Sequence, residues 1–248
     1  MDTVLIGAFL GLGAIVGSFL GVIAERAHTG QSWARGRSRC NSCRTHLGVP
    51  DLIPVVSWVW HRGRCRHCKS RVPFQYPALE LTLAVTWASA YALLGLSPAF
   101  VCALIAFSAL YYLVIYDLRH MIVSFMATGV LLGAGIGYQL ASQPIDVLPE
   151  TFVRAILIGI GFVAVYFLSR GRALGLGDAP VAVALSVLLG GRSLIGLLFS
   201  FWVGGVIGIF ILFLRRGGPR MGIEVPFVPF MAAGYLLAFF TQWNPLPF

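Results

Sequence analysis

Two groups of residues in this 248-residue chain have types and spacing suited to chemistry. The first is a pair of aspartates, Asp117 and Asp178, each at the edge of an apolar run: SALYYLVIYDLRHMIVSF contains the first, and GLGDAPVAVALSVLL contains the second. A carboxylate at such an edge is costly unless it has a partner or a task. Two close aspartates cannot both ionise easily, so they share a proton. One then acts as general base on a water that attacks a carbonyl, and the other donates to the carbonyl oxygen. That is aspartic-protease chemistry. The second group is four cysteines in two C-x-x-C pairs, Cys40-Asn-Ser-Cys43 and Cys65-Arg-His-Cys68, with 21 residues between them. Each pair can place two thiolates on one ion, which together make a closed tetrahedral site of the structural zinc kind.

Blander roles compete for the same residues. Asp117 can be an interfacial cap balanced by Arg119 or His120. Asp178 can cap a helix whose first turn holds Ala179 and Pro180, where proline is tolerated. Neither role explains Gly175 and Gly177. Two residues without side chains just before the acid permit unusual dihedrals and close approach of another peptide. Irregular backbone at membrane depth is tolerated only where it lines a cavity or is buried in protein. Disulfides are the rival to zinc, and a cytosolic loop, where thiols stay reduced, disfavours them. The remaining cysteine, Cys102, is expected as a small core residue, and His67, inside a knuckle, as a solvated side chain.

The elements that must position these groups are transmembrane helices. The chain is 58% hydrophobic and 11% charged, with a mean hydropathy of +0.85. That composition excludes a large soluble domain and a disordered chain. The expected fold class is an all-α polytopic membrane protein of about eight transmembrane helices, with the four-cysteine loop between helices one and two. Apolar runs place the helices near 3–24, 77–95, 98–116, 121–141, 150–168, 179–191, 194–214 and 226–243. The sixth is short, because Gly190, Gly191 and Arg192 interrupt it, so it is tilted or ends inside the bundle.

The net charge of +9 is unevenly spread, with ten of the eighteen basic residues between Arg26 and Arg71. Placing that loop in the cytoplasm puts Arg119, Arg170, Arg172, Arg215, Arg216 and Arg220 inside too, sixteen of eighteen in all, and both termini outside. The apolar N-terminus reads as a retained helix, with no basic segment before it and no small-residue cleavage site after it. The same asymmetry and anionic lipid headgroups account for the arginines without a nucleic-acid partner.

Five segments in order resemble the bacterial type IV prepilin peptidases (prepilin leader peptidase/N-methyltransferase). They are Gly17-Ser-Phe-Leu20; the two C-x-x-C pairs enclosing Asp51-Leu-Ile-Pro54 and Ser57-Trp58; Tyr76-Pro77-Ala-Leu-Glu80; Ile115-Tyr-Asp117 with His120; and Gly175-Leu-Gly-Asp178. Val225-Pro-Phe-Val-Pro-Phe230 resembles a further segment of that family. The resemblance implies an intramembrane aspartic endopeptidase of the bacterial inner membrane that removes the short basic leader of prepilins or pseudopilins on the cytoplasmic side. Asp117 and Asp178 match its catalytic pair, and Gly175 and Gly177 its active-site loop. It also implies N-methylation of the new terminus from S-adenosylmethionine, linked to the four-cysteine loop, with Glu80 expected in methyl transfer or in a structural role at a helix start. The division it implies is helix one over 1–24, the zinc loop over 25–76 and a seven-helix peptidase region over 77–248. The chain departs from the family pattern at Gly21, at Ser124-Phe125 and at Pro180, where an asparagine, Pro-Asp and a lysine are usual. Two other readings are open to the same residues: a transporter or channel using the two aspartates as proton or cation sites, which needs polar residues deep in the helices, and an adaptor docking a partner through its zinc loop, which leaves Gly-Leu-Gly-Asp unexplained.

Overall fold

Backbone polar groups in hydrocarbon must be satisfied within their own segment, so apolar runs of this length fold as helices. The computed structural model describes residues 2–27, 29, 32, 36–214 and 226–243. Arg35, Arg215, Arg216, Arg220 and Val225, which enter the charge and motif readings above, lie outside the described residues. The helices are α1 (Asp2–Arg26), α2 (Val56–Trp60), α3 (Gln75–Leu94), α4 (Pro98–His120), α5 (Phe125–Ser142), α6 (Leu148–Ser169), α7 (Asp178–Leu189), α8 (Ser193–Leu214) and α9 (Val228–Thr241).

Among the described residues, six stretches are long and apolar enough to cross a membrane: Asp2–Arg26, Gln75–Leu94, Pro98–His120, Phe125–Ser142, Ile145–Ser169 and Asp178–Phe210. The last joins α7 to α8 through a 3-10 turn at Gly190–Arg192. At 1.5 Å per residue, the 12 residues of α7 and the 14 of α9 reach about 18 and 21 Å, short of the roughly 30 Å hydrocarbon core. The apolar helices stand where the hydropathy places them, and two of them are half-length.

The chain forms two units, Met1–Gly95 and Leu96–Phe248. The sequence-based division groups residues 77–95 with the later helices; in the structure α3 packs along α1 within the first unit. Small residues permit this pairing. A Cβ on Gly13 would stand 2.8 Å from Ala84 Cα. The rest of α1 is exposed or half-buried, its buried residues being Gly13, Gly17 and Ala24, as suits a helix whose other faces meet lipid.

In the second unit α7 is buried nearly all round, from Asp178 to Leu188, and packs against α5, α6, α8 and α9. A helix apolar on every side belongs in the centre of a bundle. Its neighbours approach through glycines. A Cβ on Gly135 of α5 would lie 3.2 Å from the Leu188 backbone, and Gly234 of α9 lies against the backbone of Ser200 in α8.

The half-length helix ends in the bundle because Gly190, at φ +59, turns the chain. Its last carbonyls are not left bare. Gln139 of α5, buried, donates through Nε2 to Val187 O at 3.0 Å and Leu188 O at 2.9 Å, which supplies the C-terminal capping that an apolar environment requires. Ser97 and Ser124 cap the N-termini of α4 and α5, accepting from Phe100 N–H at 3.1 Å and Ala127 N–H at 3.4 Å. Ser124 thus supplies a cap at a position where the resembled family has Pro-Asp.

Candidate catalytic pair and metal centre

The first site is built on helix ends of the second unit. Asp117 lies in the last turn of α4, which stops at His120 because Met121 is left-handed at φ 56. Asp178 is the first residue of α7. They are 5% and 7% exposed, and their carboxylates are near enough to act on each other electrostatically. Sixty-one residues apart in the chain, they are brought together because α7 must bury all its faces and begins beside the end of α4.

Backbone faces each carboxylate. The N–H of Val228, the first residue of α9, faces Asp117, while Asp117 Oδ2 has no hydrogen-bond partner although it is buried. Buried carboxylate oxygens are ordinarily satisfied, so this one is available to a shared proton, a water or a substrate. Arg119 is exposed, whereas Asp117 is turned inward, which argues against a simple interfacial cap. Asp178 Oδ2 accepts from Gly175 N–H at 3.0 Å, and Asp178 N–H donates back to Gly175 O at 3.1 Å.

The capping role read for Asp178 is corrected by this geometry. Gly177 occupies the cap position without a side-chain bond, and the aspartate braces the preceding loop instead. The role of the glycines is also corrected. Neither is among the residues of positive φ; what they supply is space. A Cβ on Gly175 would sit 3.4 Å from Asp178 Oδ2, and one on Gly177 would sit 3.1 Å from Val123 Cγ2. Pro180 falls in the first turn of α7, where its missing N–H costs nothing.

The Val228 donor was not singled out from sequence. The Pro226–Phe230 segment was noticed, but a contact made by a main-chain N–H leaves no residue-type signature.

The second site lies in the first unit, in two knuckles of the same build. Cys40 N–H donates to Thr45 O and Arg44 N–H to Cys40 O, as Cys65 N–H donates to Ser70 O and Lys69 N–H to Cys65 O. Arg44 and Lys69 are both left-handed, at φ 56 and 60. Isolated bridges close the pair, Arg39 to His46 and Arg64 to Arg71.

This repeat brings the Sγ atoms of Cys40, Cys43, Cys65 and Cys68 within 4.8 Å of one another, and all four are free thiols. A tetrahedron with metal–sulfur bonds of about 2.3 Å has sulfur–sulfur edges of about 3.8 Å; Cys40 and Cys68 are 3.8 Å apart. Backbone N–H groups of Cys43 and then Ser42 pull the Cys40 thiol down to about 6, and the Ser70 hydroxyl lowers Cys68. Such thiols are disposed to be thiolates, the form that binds metal. His67 is exposed and outside the cluster. Cys102 stands alone in α4, with a Cβ on Gly137 placed 3.0 Å from its Sγ.

Between the knuckles and the facing ends of α1 and α3 lies a cavity of about 860 Å³ whose lining includes Glu25, Asp51, Trp58, His61 and Glu80. Trp58 is fixed by its Nε1 donating to Val72 O at 3.0 Å, by an edge contact with Phe74 and by Gly63, whose φ of +67 and missing side chain admit the indole. Glu80 lies beyond the first turn of α3, so the helix-dipole account does not apply to it. Its Oε2 instead accepts from Val55 N–H at 2.7 Å, beside a backbone that takes the uncommon positive φ of 61 at that valine. Tyr76 OH donates to Glu25 Oε1 at 3.1 Å.

Fold and sites together define a multi-pass membrane protein with a buried aspartate pair and a four-thiol cluster in its long polar loop. Residues 12–94 match the family model described as the bacterial peptidase A24 N-terminal domain, and residues 104–213 match the type IV leader peptidase family. The chain is 30% identical over 260 residues to the prepilin leader peptidase/N-methyltransferase of Burkholderia pseudomallei (strain 1026b), covering 90% of this chain and 81% of that one. It is 33% identical over 217 residues to the protein of the same name in Myxococcus xanthus (strain DK1622), covering 84% of this chain and 64% of that one. A Bacillus subtilis (strain 168) protein, also so named, is 28% identical over 230 residues, with coverage of 92% and 90%. This chain therefore belongs to the type IV leader peptidase family. No solved structure matches it.

Proposed function

We propose that this protein removes the short basic leader of type IV prepilins or pseudopilins and then methylates the new N-terminal amine. The observation that carries the first half is the burial of Asp117 and Asp178 within electrostatic reach of each other, with one carboxylate oxygen unpartnered. One aspartate takes a proton from a water held between the pair, the water attacks the scissile carbonyl, and the other aspartate donates to the carbonyl oxygen. Gly175 and Gly177 keep the loop beside Asp178 narrow, so that an extended substrate backbone can approach it. The inner membrane is the compartment this reading requires. The inward bias of sixteen of eighteen basic residues supports a cytoplasmic active site and loop.

The four thiols suit structural zinc, which would tie the two knuckles together. The 860 Å³ cavity beside them falls within the size range of small-molecule sites, and its carboxylates suit the cationic part of S-adenosylmethionine. That co-substrate supplies an electrophilic methyl group. On this reading the 25–76 loop serves methyl transfer and the later helices serve cleavage, with Glu80 supporting the cavity through Val55.

Transport through the two aspartates is not favoured. It needs polar groups along a path through the bundle, whereas α7 continues in alanine, valine and leucine, and its Ser186 is bonded to Tyr235 at 2.9 Å. The test is to make Asp117→Asn and Asp178→Asn separately, co-express each with a prepilin and measure intact mass. Both variants are expected to leave the leader on; full cleavage by either removes the assignment.

A further inference from the structure

The cavity beside the knuckles contains an acid–imidazole pair that leader cleavage does not use. Asp51 ends the 3-10 turn Val49–Asp51 and is anchored by Gly48 N–H, which donates to Oδ2 at 3.0 Å. Its other oxygen, Oδ1, stands 3.5 Å from His61 Nε2. His61 follows α2, and its own N–H is tied to Ser57 O at 3.0 Å. The two side chains are 9% and 25% exposed, and both residues line the cavity. A carboxylate facing one imidazole nitrogen at this distance favours the tautomer with its proton there and leaves the other nitrogen as a base.

Methyl transfer to a chain terminus needs such a base. An α-amino group has an ordinary pKa of about 7.7–8.0, so at neutral pH it is mostly an ammonium with no lone pair to attack a methyl group. The other charged groups around the cavity are Glu25 and Arg26 from α1, Glu80 from α3 and the arginines of the two knuckles. Glu25 and Glu80 already accept from Tyr76 OH and Val55 N–H. Arginines do not lose their protons in proteins, and the thiols belong to the metal cluster.

We propose that His61, oriented by Asp51, accepts the proton from the substrate's α-ammonium during N-methylation, an inference that rests on the methyl-transfer reading above. The imidazole takes one proton. The freed amine lone pair forms a bond to the methyl carbon of the sulfonium donor, whose carbon–sulfur bond breaks with its electron pair left on sulfur. The methylated ammonium then releases its second proton to solvent. His61 is the catalytic residue of this step and Asp51 a positioning residue.

The experiment uses the full-length protein with its metal, a cleaved pilin and labelled S-adenosylmethionine. His61→Ala and the bulkier His61→Gln are expected to lower methylation about tenfold at pH 7, the most that an amine already about one-tenth free can lose, with leader removal and zinc content unchanged. The deficit should shrink to about threefold or less by pH 9, where the substrate amine is deprotonated without help, and added imidazole should restore part of the rate at pH 7. Asp51→Asn should cost about threefold. In a histidine-labelled sample, the resonance that disappears in His61→Ala should move when a free-amine peptide is added and stay put with its N-acetylated counterpart.

Wild-type methylation by either His61 variant at pH 7 overturns the proposal, and so does a deficit of equal size at pH 7 and pH 9. A wild-type protein that transfers no methyl group overturns the methyl-transfer reading itself, and this proposal with it. An active wild type with unaffected variants overturns the proposal alone.

Discussion

A carboxylate buried in an apolar bundle is tolerable only if backbone donors or a second carboxylate sharing its proton meet it. Asp117 has the Val228 N–H and Asp178 has the Gly175 N–H. The glycine beside Asp178 is therefore a residue whose substitution can be read chemically. Gly177→Val would push branched methyl groups into Val123 Cγ2, already 3.1 Å from where a Cβ would sit. The expected result is a loss of leader removal of at least tenfold with zinc content unchanged, checked by intact mass and metal analysis on the same sample. A variant that cleaves normally would show that the close approach of Gly177 to Val123 is immaterial to catalysis. Both aspartates and both glycines were visible in the sequence as chemistry at a membrane edge. Why the glycines are needed was not, since close approach and unusual dihedrals leave the same residue in the chain.

Elements matter here where they are too short. At 12 residues α7 cannot cross the hydrocarbon alone, and its free C-terminal carbonyls would be costly there. Gln139 satisfies two of them. Replacing it by leucine removes the donor while roughly keeping the volume, leaving buried acceptors unpaired at a cost of about 1–3 kcal/mol. The expected outcome is a lower thermal midpoint in detergent. An unchanged midpoint would mean that other donors cap the helix. The break itself was legible at Gly190 and Gly191; the glutamine that compensates for it lies about fifty residues earlier, in an unremarkable apolar run. In the other unit the knuckles repeat one backbone pattern, so Cys43→Ser should release the metal and loosen both halves of the loop together. Faster proteolysis between residues 36 and 74 in that variant, alongside loss of N-methylation, is the expected result.

At the scale of the whole molecule the proposed arrangement puts loop and aspartates on one side of the membrane. Single cysteines introduced at exposed loop positions such as Lys69, in an otherwise cysteine-substituted background, should react with a membrane-impermeant maleimide only after the inner membrane is opened. Labelling in intact spheroplasts would invert the topology. The sequence by itself determined the class of molecule. Its apolar content demands helices in lipid, its paired cysteines suit a shared ion, and nine acids among 248 residues make two at apolar edges conspicuous. These are statements about composition and local spacing, which a chain carries before it folds. Only the tertiary structure decided that α3 belongs with α1, that α7 is the enclosed centre of its unit, that the Val228 N–H meets Asp117, and that Asp51 and His61 face one cavity. Each of these depends on which helix faces are buried against which neighbours. Such pairings arise from packing between distant segments, and in nearly uniform apolar helices no periodic pattern in the chain announces them.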